Sequence, residues 1–380
     1  MRRVLFLALL LAAPPALAQS DGWQPARPAK PALSPALSDD APPLRVAPSG
    51  EPPAPPQLRT ANPAAQQPAP DARDGGPFTP APVLVRTVTY PGGVSVQSGL
   101  VWRAPLTLDL YRPAGNRPLP LVVFLRDGGW NGGDVRPSAS MADLPRELAA
   151  LAARGYVVAD VTVRPAGEAR FPAPVQDVKA AIRWLRRQAS AYTIDTTRVA
   201  LWGEGTGGYL AALAGASCGV ALFDTPDAGE GSDCVQAVID WSGPVELGPE
   251  SEGRPAAPVS MPTSKAGLFL GCEPKTCAPG LVGQASPRTY LSEVTPPFLI
   301  QQGAMDPMLP QSQTLAAALK DKGVPVELVT YPETGQDFGR DGAPDPATVR
   351  AALDKVAAFL AHTFPAPARN ARLRPRGPVY

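Results

Sequence analysis

Between Val83 and Phe364 short apolar runs alternate with amphipathic stretches. Runs of strand length are Val83–Tyr90, Leu106–Tyr111, Leu119–Leu125, Tyr156–Val163, Arg198–Trp202, Val235–Trp241, Pro297–Gln302 and Val324–Tyr331. Helical periodicity lies between most of the later ones. In Val175–Ser190 the residues Val175, Val178, Ile182 and Leu185 fall on one face, and Arg183, Arg186 and Arg187 lie off it. Ser312–Lys320 and Thr348–Thr363 read the same way, the latter through Val349, Leu353, Val356 and Leu360. Strands alternating with helices imply parallel strands joined by right-handed crossovers. The first two strands have no helix between them and are expected to pair as an edge hairpin. The pattern is lost over about 243–291, which is rich in Gly, Pro and Ser and reads as a small cap-like excursion over the strand ends.

Composition changes the picture at both ends. Residues 19–82 hold 17 prolines in 64 positions and few large apolar side chains, too little to offset chain entropy, so a disordered Pro/Ala-rich linker is expected there. Before it, Arg2 and Arg3, the apolar run Val4–Ala13 and Ala16-Leu17-Ala18 make an export signal over residues 1–18. Residues 365–380 carry Arg369, Arg372, Arg374 and Arg376 and read as a basic disordered tail. Residues 83–364 are then one domain. The net charge of +1 gives no basic stripe for a nucleic acid, and no run is long enough for a stable membrane insertion. The expected location is outside the cytoplasm, periplasmic or secreted. The Pro-rich arm names no partner.

The four cysteines, Cys218, Cys234, Cys272 and Cys277, suit an oxidising compartment. The two short loops, Cys218 with Cys234 and Cys272 with Cys277, are the favoured pairing. No C-x-x-C occurs and His362 is the only histidine, so neither a metal nor another cofactor is expected.

The apolar strand Val199–Trp202 runs into Gly203-Glu204-Gly205-Thr206-Gly207-Gly208 and then Tyr209–Leu213, a good helix. Such a turn can cradle a phosphate or form a nucleophile elbow. Arg198–Glu204, Gly207–Leu213, Tyr156–Ala159, Gly167–Pro172, Asp177–Leu185, Val235–Trp241 with Gly243-Pro244, and Pro296–Ile300 with Gly303–Pro307 together resemble the feruloyl- and acetyl-esterase-like branch of the α/β-hydrolases. The resemblance implies a mostly parallel eight-stranded sheet with helices on both faces and a small cap. It also implies carboxylic-ester hydrolysis by a serine, a histidine and an acid.

The matching positions depart from that chemistry. The centre of the family's G-x-S-x-G is Gly205, its histidine position is Gln336, and only the acid, Asp306, stands as expected. The oxyanion loop, His-Gly-Gly-Gly-Trp in the family, reads Arg126-Asp127-Gly128-Gly129-Trp130. Glycine offers no nucleophile, glutamine is no base, and an aspartate opposes a developing oxyanion. Thr206, Ser242 and His362 are the remaining hydroxyls and imidazole to weigh, each more at home in a structural role. Glu204, Asp127, Asp306 and Asp337 form a possible carboxylate set.

Three functions follow as expectations. The first is a non-catalytic esterase-like protein with a retained cleft, in which Arg126, Asp127, Gly128, Gly129, Trp130, Glu204 and Thr206 meet a small polar or carbohydrate ligand. The second is an active carboxylic-ester hydrolase with rewired residues. The third is a structural or interaction module.

Overall fold

The computed structural model describes residues 59–60, 83–90, 94–97, 100–103, 106–128, 138–225, 231–247, 264–278 and 280–365. The expected signal, the basic tail beyond Pro365 and all of the linker save Arg59–Thr60 lie outside them. The chain divides into Met1–Ala54 and Pro55–Tyr380, and every described residue belongs to the second unit.

Among the described residues the main sheet has nine strands: β1 (Arg59–Thr60), β2 (Val83–Tyr90), β3 (Leu106–Pro113), β4 (Leu119–Leu125), β5 (Val157–Val161), β6 (Ile194–Glu204), β7 (Ala237–Trp241), β8 (Phe298–Gly303) and β9 (Val326–Tyr331). Their order across the sheet is β1-β2-β3-β5-β4-β6-β7-β8-β9. From β5 to β9 every pairing is parallel. The β2–β3 pair is antiparallel, as the missing crossover required, and a small ribbon of Val94–Gln97 with Leu100–Arg103 stands between the two in sequence. Within the segment read as a linker, Arg59 and Thr60 pair antiparallel with Val85 and Leu84.

Among the described residues five longer helices flank the sheet: α1 (Leu144–Ala153), α2 (Ala173–Arg187), α3 (Thr206–Ala216), α4 (Leu309–Asp321) and α5 (Pro346–Thr363). A parallel sheet covered on both faces needs strands that are apolar on both sides. In β4 the alternation is visible residue by residue. Leu121, Val123 and Leu125 enter the core shared with α2, α3 and α4, while Val122 and Phe124 enter the core under α1 and α5. The periodicity missed α1, although Asp143 caps it through the Arg146 amide and Leu144, Leu148 and Leu151 lie buried along it.

Both disulfides are the expected short loops, Cys218–Cys234 and Cys272–Cys277. In the cap-like region the described part is short helical turns at Lys265–Leu270 and Leu281–Gln284. It is docked on α3, with Tyr209 donating its hydroxyl proton to the Ala285 carbonyl and stacking edge-on against Phe269.

One ion pair ties the loop after β5 to α2. Arg164 donates from Nε and Nη2 to the two oxygens of Asp177 at 2.7 and 2.8 Å, and its amide adds a third bond at 3.1 Å. Both side chains are buried. Removing one partner of such a pair strands the other charge in low dielectric. Arg164→Met is therefore expected to lower stability by about 3–5 kcal/mol, read as a lower urea midpoint with an unchanged slope.

Candidate active site

The site is built at the carboxyl ends of β4, β6, β7 and β8. Strand β6 ends at Glu204, Gly205 turns the chain, and α3 begins at Thr206. Gly205 has φ 53° and ψ −122°, the tight strand–turn–helix geometry that a side chain resists. Packing closes in around the turn. A Cβ on Gly207 would lie 2.1 Å from the Leu125 carbonyl oxygen, so glycine there lets α3 sit directly on the end of β4.

The end of β4 places Arg126 and Asp127 against this turn. The Arg126 guanidinium forks onto the buried carboxylate of Asp160 at the end of β5, with Nε 2.9 and 3.0 Å from its oxygens. It anchors the loop and also lines the adjoining cleft. Asp127 then reaches over the elbow. Its Oδ1 accepts from the Thr206 amide at 3.1 Å and from the Thr206 hydroxyl at 2.8 Å. The Gly128 amide donates to the same hydroxyl at 2.8 Å. A Cβ built on Gly205 would stand 2.5 Å from both Cγ and Oδ2 of Asp127. The carboxylate fills the space into which a side chain at the apex would project.

Glu204 does not line a cleft. It is fully buried, and its oxygens hold the 138–140 loop: the Ser138 hydroxyl donates at 2.7 Å and the Ala139 amide at 3.3 Å. Burial pushes its carboxyl up, and those bonds pull it back. Gly129 and Trp130 lie outside the described residues.

Asp306 follows β8, as expected for the acid position, and accepts from the Met308 amide at 2.8 Å. Burial raises its carboxyl, partly offset by that amide and by Gln302. The turn that was expected to bring Gln336 to the site instead leaves Gln336 exposed. Its neighbour Asp337 carries the electrostatic contact. Burial first, then the charges of Asp127, Glu204 and Asp306, push Asp337 up to about 7, with Lys265 working against them. An aromatic chain seats this turn: Phe124, Trp202, Trp241 and Phe338 meet edge to face, their successive ring centroids 4.7, 5.0 and 5.1 Å apart.

The only imidazole is at the other end of the sheet. His362 is exposed in the last turn of α5, and three residues later the Pro365 carbonyl accepts from Arg198 near the start of β6. The strand from Arg198 to Gly205 spans roughly 20 Å at about 3.3 Å per residue. Ser242 is buried just past β7 at φ 53°, and its hydroxyl has no hydrogen-bond partner among the described residues. Among the described residues no cluster of His, Cys, Asp and Glu suits a metal ion.

A cleft of about 580 Å³, open to solvent, adjoins the elbow. Leu125, Val163, Leu210 and Phe269 form its apolar wall, and Gly128 and Thr206 its polar edge. The sequence reading missed this wall, whose residues come from four separate segments. Asp160 and Asp240 were also missed, although a lone acid inside an apolar strand is a legible sign of a buried partner or a shifted carboxyl.

Two predictions follow from this geometry. Gly205→Ala is expected to cost about 2–4 kcal/mol in the native background, from overpacking against Asp127 and the positive φ. In an Asp127→Ala background the cost is expected to fall to about 1 kcal/mol, and the coupling is read from a four-member unfolding cycle. The second concerns Asp240, which is fully buried beside α3 and bonded to the Gly243 amide at 2.9 Å. Burial pushes its carboxyl up to about 7. The folded state then holds a proton that the unfolded state has lost, so this group's contribution to stability declines as pH rises from about 4 to about 7 and is level above. Asp240→Asn, neutral throughout, is expected to be more stable than the native chain at pH 8, by on the order of a few kcal/mol, with the difference vanishing near pH 4 in thermal melts.

Comparison with known proteins agrees with the architecture. The BD-FAE family profile matches residues 108–320. The chain is 28% identical over 235 residues to Esterase LipQ of Mycobacterium tuberculosis, covering 61% of this chain and 51% of the relative. It is 30% identical over 262 residues to Esterase LipC of the same organism, covering 67% and 61%. The chain thus spans between half and two thirds of the length of these curated relatives. A truncated carbohydrate esterase from gut microbiota superposes with a TM-score of 0.56 at 25% identity, over 73% of this chain and 96% of that one. With a mostly parallel sheet, a strand–turn–helix elbow at Gly205 and a family match from β3 to α4, this chain belongs to the BD-FAE family of esterase-like α/β-hydrolases.

Proposed function

We propose that this protein is an exported, non-catalytic member of its family that keeps a cleft for a small ligand. The observation that carries this reading is the apex of the elbow, where Gly205 has no side chain and the Asp127 carboxylate takes its space. Acyl transfer needs an attacking oxygen and a base to take its proton. It also needs a donor waiting for the oxyanion, and the Thr206 amide is already bonded to Asp127. His362, at the far end of β6, is out of reach as the base.

Export is supported by the basic and apolar start of the chain and by the two disulfides. Among the described residues no helix is long and apolar enough to cross a membrane. The wall of Leu125, Val163, Leu210 and Phe269 favours a ligand with an apolar face over the small polar or sugar ligand first expected.

A rewired ester hydrolase is the second reading. It is favoured by the names of the matched relatives and by Asp337, whose carboxyl at about 7 lies in the range of a general base. One experiment separates the two. A short-chain p-nitrophenyl ester is expected to raise the melting temperature in a saturable way without release of nitrophenol above the blank, and a fluorophosphonate probe is expected to leave the chain unlabelled. Turnover that disappears in Asp337→Asn, Thr206→Val or Ser242→Ala would overturn the non-catalytic reading.

A further inference from the structure

We propose that Asp127 is an internal ligand of the elbow: its carboxylate occupies, on the same chain, the position where the oxygen of an external acyl or carboxylate group would be held, and it closes that position to external ligands. This goes beyond the non-catalytic reading and stands whether or not an ester is turned over in the adjoining cleft.

Three observations converge on one carboxylate. First, Asp127 Oδ1 collects two donors from Thr206, the amide at 3.1 Å and the hydroxyl at 2.8 Å. The hydroxyl is oriented for this, because the Gly128 amide at 2.8 Å takes one of its lone pairs and leaves its single proton for the carboxylate. Second, the space is contested. With a Cβ at position 205 only 2.5 Å from Asp127 Cγ, a residue with a side chain and this carboxylate exclude each other. Third, the loop that carries the carboxylate is fastened from behind. Arg126, one residue earlier, is locked onto buried Asp160, so the backbone that aims Asp127 has its own anchor.

The charge balance points the same way. Asp127 brings a negative charge to the first turn of α3, where helix amides favour an anion. That charge also raises the carboxyls of Asp337 and Glu204. A free carboxylate therefore meets an occupied position in the native chain. Removing Asp127 deletes both the group that blocks the position and the charge that satisfied it, and a small free carboxylate restores both.

The test is chemical substitution of the internal ligand. Native protein and Asp127→Ala are melted in rising sodium acetate, against sodium chloride of equal ionic strength. Acetate is expected to raise the melting temperature of Asp127→Ala by several degrees in a saturable way and to leave the native chain at its chloride value. Equal responses in the two proteins, or none in Asp127→Ala, would refute the internal ligand. A second measurement covers the case in which Asp127→Ala does not fold. In the near-isosteric Asp127→Asn, hydrogen exchange at the Thr206 amide is expected to quicken at least tenfold relative to the native chain, because a charge-assisted bond is replaced by a neutral one. An unchanged exchange rate in Asp127→Asn sinks the proposal.

Discussion

A side chain at position 205 and the carboxylate of Asp127 exclude each other, and the chemistry of the whole site follows from which of them is present. The elbow backbone keeps its strained turn, with glycine making the positive φ tolerable. The donor at Thr206 still faces the apex. What differs is the occupant, an acid carried on a neighbouring loop. The glycine at the apex and the acid in the oxyanion loop are therefore two halves of one arrangement: each is sterically compatible with the other and with little else.

That arrangement concentrates negative charge where carbonyl chemistry would require the opposite. Asp337 is held at about 7 by burial and by the charges of Asp127, Glu204 and Asp306, so it takes up a proton near neutrality. Each acid has its own reason to stay. Glu204 fastens the 138–140 loop, Asp306 caps the turn into α4, and Asp160 anchors Arg126. These bonds take up part of the charge, while Asp306 Oδ2 and Asp337 Oδ1 are buried without a hydrogen-bond partner among the described residues.

The scaffold beneath keeps these groups in register. Gln301 satisfies its buried amide fully, accepting from Trp241 Nε1 at 2.6 Å and donating to the Tyr331 hydroxyl and the Ala352 carbonyl. The aromatic chain from Phe124 to Phe338 links the ends of β4, β6 and β7 to the turn that bears Asp337. A shift of any one strand would disturb both the elbow and the acid opposite it.

The linear chain by itself laid out eight strands of the sheet, the strand–glycine turn–helix at Gly205 and the short-loop pairing favoured for the four cysteines. These depend on local periodicity, on spacing or on the identity of one residue. It did not determine α1, whose apolar positions were there to be read, nor the two-residue strand at Arg59–Thr60. It placed Gln336 at the site, whereas a turn with Asp337 and Phe338 at positive φ leaves Gln336 exposed and makes Asp337 the group that responds to the elbow. It read Glu204 as a cleft residue, and only the folded sheet shows that the 138–140 loop covers it; Arg126 does line the cleft, and β5 adds Asp160 as its anchor. It made Asp127 an obstacle, and only the approach of two loops 79 positions apart makes it an occupant. Long-range contacts decide what a charged side chain does because its preferred partner is the nearest desolvated opposite charge or donor, and chain distance carries no record of that.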